Sequence, residues 1–166
     1  MAVNNFDNLI SWSDFMPVAV RPPGSNEDAE IIVKFPQSYD YSLGKKTAII
    51  TNLTVDIIMA SPECWVLNSQ AKNMDLLKHE QGHYDITALG AREFHAGLTG
   101  MSAANEEALK KKIRKLRDSV QAKINRANLN YDNQTNHGLK TPLQQTWNKE
   151  IDTAKKNPKG VVNDLP

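Results

Sequence analysis

The sequence predicts a single α+β domain over residues 1–166, with a small antiparallel sheet first and three helices after it, on three observations. Ala29 to Phe35 and Thr47 to Ala60 are rich in Ile, Val and Thr and lack helical spacing, which is the mark of strands. From about Ser69 onward the apolar residues recur at helical intervals through three successive segments. A chain of 166 residues can bury a sizeable core without help, and it is short for two domains.

Taken in order, Trp12-Ser13-Asp14-Phe15 offers two aromatics to plug one end of the core, and Asp14 is given no chemistry. Pro17, Pro22, Pro23 and Gly24 punctuate the next stretch, and Pro36 to Lys46 reads as a turn region between the two strand segments. Trp65 and Val66 close the sheet. The first helix is expected from near Ser69 to about Gly97, where Gly97 and Gly100 supply stop signals. The second is expected from Asn105 to Leu129. Asn105 caps it, Glu106 and Glu107 suit its first turn, and Leu109, Ile113, Leu116, Val120, Ile124 and Ala127 form its apolar stripe. Pro142 opens the third, whose Leu143, Trp147, Ile151 and Ala154 face inward and buttress the preceding loop. The tail from about residue 156 reads as loosely held.

Composition narrows the function classes. A net charge of +1 gives no electrostatic case for nucleic acid or an anionic membrane as partner. No segment approaches the roughly 18 apolar residues of a membrane span, and Met1 to Trp12 has neither the basic start nor the apolar run of a signal peptide. One cysteine, Cys64, excludes an intrachain disulfide and a Cys-rich metal site, so any metal falls to His, Asp or Glu.

The chemistry gathers at Leu77-Lys78-His79-Glu80-Gln81-Gly82-His83-Tyr84-Asp85, which holds the spacing His-Glu-x-x-His inside the first helix. One turn apart, His79 and His83 stack on one face and can reach one metal, while Glu80 sits beside them as a general base that does not ligate. A surface helix with two solvated histidines is the plain alternative. That face also carries Leu76, Ile86, Gly90 and Phe94, so it turns inward, and buried imidazoles are costly unless a metal and its neighbours satisfy them. Asp85 falls on the far side of the wheel with Lys78, Gln81 and Arg92 and reads as a surface or supporting residue. Gly82 is tolerable in a buried helix and admits close backbone approach.

Two histidines leave the site one protein ligand short. Leu89 stands where one common pattern needs a histidine, and His95 lies about 18 Å along the axis from His83. Glu106 and Glu107 belong near the far end of the helix, and Asp118 opposes its own apolar stripe and points to water. The remaining source is the loop expected at Tyr131 to Gly138, from which His137 is the expected third ligand and Asp132 the alternative, or an orienter of a ligand imidazole. The Tyr131 hydroxyl suits an oxyanion; an aromatic capping the helix end is the equal alternative.

These blocks, with Ala91-Arg92 and Trp147, resemble a family of bacterial secreted or periplasmic zinc-dependent proteases of the HExxH, zincin-like type, catalogued as a domain of unknown function. The resemblance implies a metallopeptidase with His79, Glu80 and His83 in the zinc motif and His137 completing it. It also implies an exported location. The expectation is hydrolysis of a peptide or protein substrate with one zinc ion per chain, Glu80 acting as base and then as proton donor. The competing expectation, from a different class, is a metal-stabilised binding module closed by a fourth protein ligand such as Asp132.

Overall fold

In chain order the strands of the computed structural model, which describes residues 3–166, are β1 (Val3–Asn4), β2 (Met16–Val18), β3 (Ala29–Glu30), β4 (Val33–Lys34), β5 (Gln37–Gly44), β6 (Thr47–Asp56), β7 (Ile58–Met59), β8 (Trp65–Leu67) and β9 (Ser102–Ala103). The helices are α1 (Met74–Leu98), α2 (Glu106–Thr135) and α3 (Thr141–Lys156). The fold is α+β, with most of the strands ahead of the helices. The strands form three small sheets rather than one, and they are mixed: β1 joins β6 and β2 joins β8 in parallel, while the other pairings are antiparallel.

The expected turn region after Pro36 is instead strand β5, half of the longest hairpin, which turns at Lys45-Lys46. Its signal is a period of two: Gln37, Tyr39 and Tyr41 are half-buried and alternate with exposed Ser38, Asp40 and Ser42. A bulge opposite Tyr39 places Asn52 in left-handed backbone at φ 49°, and its side-chain amide donates to Asp40 Oδ2 at 2.8 Å.

Helix α1 is the central element. Asn73 caps it by accepting from the backbone of Asp75 and Leu76, and every residue from Tyr84 to Arg92 is buried. Asp85 and Arg92 are therefore not on the surface, as the helical wheel suggested, because α1 is covered on its far side too. Asp85 accepts from Lys155 Nζ at 2.7 Å, and Arg92 donates to the Ala154 and Lys155 carbonyls at the end of α3. The α1–α2 seam packs Ile86, Leu89, Phe94 and Leu98 with Leu109, Ile113, Val120 and Ile124. Gly90 lets Ile124 lie where its own Cβ would stand.

Helix α2 runs six residues beyond the expected end at Leu129, so Tyr131 and Asp132 are helical and not in a loop. The tail is docked as well. Val162 is buried, and the Pro166 carbonyl accepts from Asn130. Among the described residues no helix is long and apolar enough to cross a membrane.

Candidate metal centre

The cap at Asn73 sets the register of α1 so that His79 and His83 project from successive turns, toward the last turns of α2. There the two Nε2 atoms lie 3.2 Å apart. Asp132 Oδ1 is 3.2 Å from the first and 3.0 Å from the second. Three donor atoms thus form a small triangle with no side longer than 3.2 Å. Ligand atoms on a tetrahedral zinc, at about 2.0–2.1 Å from it, stand about 3.3 Å apart, so the triangle has the size the ion requires.

Proton positions make the same case. The Tyr131 hydroxyl is bonded to the His79 carbonyl, which can only accept, so the hydroxyl donates there at 3.2 Å. Its oxygen must then accept from Gln144 Nε2, which leaves Gln144 Oε1 to accept from His79 Nδ1 at 3.1 Å. His79 accordingly carries its proton on Nδ1 and presents a lone pair at Nε2. On His83, Nδ1 meets Asn128 Oδ1 at 3.0 Å, and this also turns the Nε2 lone pair inward. Two lone pairs and a carboxylate oxygen face one another, and Asp132 Oδ1 is buried with no hydrogen-bond partner. Such a cluster repels itself unless a cation, or in the bare site a proton on one Nε2, sits in it.

The titration of the bare site reflects that demand. Burial depresses His79 below its ordinary value. Burial opposes charge on His83 as well, but the Asp132 carboxylate and Glu80 outweigh it and push this imidazole up to about 9. Burial would raise Asp132, yet the two histidines hold it well below the usual carboxylate range. One positive charge is held among three groups, on the histidine with the stronger anionic neighbours.

Asp132, the alternative from the sequence to the expected third ligand His137, thus lies against both imidazoles. His137 stands at the edge, 45% exposed, with Nδ1 3.7 Å from Asp132 Oδ1 and 3.5 Å from Glu27 Oε1. It still belongs to a group with His79 and Asp132 whose ligand atoms lie within 4.8 Å of one another. The placement of Asp132 follows from the length of α2: Asn128 and Asp132 are one turn apart on the helix face that meets α1. His137 comes after the helix, where Asn136, His137 and Gly138 are all in left-handed backbone.

Glu80 is 3% exposed, makes no hydrogen bond or ion pair among the described residues, and lines the hollows on both sides of the triangle. Burial pushes it up to about 7 despite the counter-pull of His83. Tyr131 does not reach either hollow. It is fully buried, stacked on His79 at 4.6 Å between centroids, and its hydroxyl is used on both sides, so the expected oxyanion role gives way to one of holding His79.

The family model described as a bacterial protein of unknown function (DUF922) matches residues 22–138. The chain belongs to this family. The matched part of this DUF922 chain takes in Glu27, His79 to His83, Asp132 and His137, and it ends before Gln144. No curated protein and no solved structure matches the chain.

Sequence reasoning missed Gln144, Asn128 and Glu27. The first was legible: on α3 the inward set is Gln144, Trp147, Ile151 and Ala154, and Leu143 is substantially exposed. A glutamine on an apolar stripe signals a buried polar partner. Asn128 carried a weaker signal, one turn from Asp132, and Glu27 carried none.

Proposed function

We propose that this protein is a zinc-dependent hydrolase of peptide bonds, with His79, His83 and Asp132 as the metal ligands and Glu80 as the general base. The observation that carries the reading is the inward-facing triangle of Nε2, Nε2 and Oδ1 beside a buried, unpartnered glutamate that lines two open hollows. Bound there, the ion would supply Lewis acidity toward a carbonyl and acidify a water molecule.

The chain's own residues account for the rest. Gln144 and Asn128 hold the imidazoles in the tautomer that ligates, and Tyr131 fixes Gln144. Glu80, buried beside the ligands and without a hydrogen-bond partner among the described residues, takes a proton from the attacking water and passes it to the leaving amine. The two hollows, of about 420 and 290 Å³, leave room for substrate on either side.

A second reading is favoured by the closeness of His137 to the same point: a four-ligand, closed site in a binding module. The test is a diverse peptide mixture incubated with zinc-loaded wild-type and Glu80→Gln proteins, read by mass spectrometry for new termini. Cleavage by the first and not by the second supports the hydrolase. Identical peptide maps count against it.

A further inference from the structure

The two hollows beside the triangle are both acidic, and only the larger one holds a Lys or Arg of its own, which bears on what the site would accept. The larger one sets Glu27, Asp28 and Asp75 beside Ala29, Leu76 and Leu139, and its arginine, Arg21, is paired with Asp28 at 2.5 Å. The smaller one contains no Lys or Arg, yet Glu27 and Glu30 both line it. Glu27 and Glu30 both lie outside the triangle of donor atoms.

Neither carboxylate has a Lys or Arg partner among the described residues. Glu30 is held in place by a neutral donor, Trp65 Nε1, at 2.8 Å to Oε2, which fixes the group without offsetting its charge. Glu27 has only His137 within ion-pair range. Ile31, Ile32 and Val33 line the same hollow, an aliphatic wall of the kind a long alkyl stem packs against. Independently of these charges, the nearly buried Glu80 opens unpartnered onto the same hollow, which places the hollow next to the bond the base would serve.

Resting on the hydrolase reading, we propose that this hollow receives a lysine or arginine side chain of the residue adjoining the scissile bond, its stem on Ile31 to Val33 and its cationic head between Glu27 and Glu30. The substrate class is then basic peptides. A half-buried Glu27 and an exposed Glu30 acting on one cation correspond to about a tenfold preference over an uncharged side chain of equal length. High salt should shrink that preference, because the hollow is open.

The test separates binding from turnover by using zinc-loaded Glu80→Gln protein, in which nothing is cut. Fluorescent peptides that differ only by lysine or norleucine, placed in turn at each position, are titrated by anisotropy. The expected result is about tenfold tighter binding of lysine at one position, falling to within about twofold in Glu27→Gln/Glu30→Gln protein. Equal binding of the two peptides, a preference that survives in the double variant, or no binding of either would overturn the proposal. Mapping of wild-type cleavage sites keeps the two readings apart. Glu80-dependent cleavage without enrichment of Lys or Arg sinks this inference and leaves the hydrolase standing, while lysine-selective binding without any cleavage does the reverse.

Discussion

Gly82→Ala puts a single methyl group at the point on which the site depends. On an exposed helix the change stabilises by about 1 kcal/mol. Here the new Cβ would lie 2.2 Å from Tyr131 Oη and 2.5 Å from Cζ, against ordinary contacts beyond 3.4 Å, so the ring must retreat by about 1 Å. It has no free direction in which to do so. Tyr131 is fully buried, stacked on His79, packed against Trp147 and bonded at its hydroxyl to the His79 carbonyl and Gln144. Overpacking of this kind costs about 1–3 kcal/mol, which in a domain of this size lowers Tm by roughly 3–10 °C. Retreat of the ring also shifts Gln144 away from His79 Nδ1, so zinc affinity should fall by about tenfold or more. Tyr131→Phe in the same chain removes the closest atom and should restore part of the Tm but not the zinc affinity. Calorimetry and a competitive zinc titration read both effects. A Gly82→Ala protein with raised Tm and unchanged zinc affinity would refute the reasoning.

Three further outcomes follow from the same geometry. Gln144→Leu should leave His79 Nδ1–H without an acceptor and weaken zinc by about 10- to 100-fold with the fold retained, measured by chelator competition; unaltered affinity would remove Gln144 from the site. Glu80→Gln should keep zinc and fold and lose nearly all hydrolysis, since the amide removes the base and not a ligand. In metal-free protein the folded pKa of Glu80, about 7, lies above its unfolded value near 4.5, so folding favours the protonated form and stability falls as pH rises through that window. Glu80→Gln should therefore be the more stable of the two apo proteins at pH 8, and the gap should close toward pH 4.5 in denaturant titrations.

The parts of this protein legible in its sequence are those written in short-range pattern. The helical spacing of His79, Glu80 and His83, the Asn105 cap and the α2 apolar stripe all lie within a few turns of one another, and the structure places them accordingly. The misreadings came from longer range. Nothing between Leu129 and Thr135 marks the helix as continuing, since Asn130, Asp132 and Asn133 are weak helix formers; packing of Tyr131 against α1 and Trp147 holds it. Ending the helix early put Tyr131 and Asp132 in a loop and hid how close Asp132 comes to both histidines. Asp85 was misplaced because the wheel assumes one wet face, whereas the N-terminal segment and Lys155 cover that side of α1.

The central claim is the identity of the third ligand, and zinc affinity measured by chelator competition on four alanine variants tests it most directly. With His79, His83 and Asp132 as the set, His79→Ala, His83→Ala and Asp132→Ala should each weaken zinc by about 100-fold or more, and His137→Ala by less than about tenfold. Full affinity in Asp132→Ala protein, with a sharp loss in His137→Ala, would contradict the account; a sharp loss in all four would point to the closed, four-ligand site.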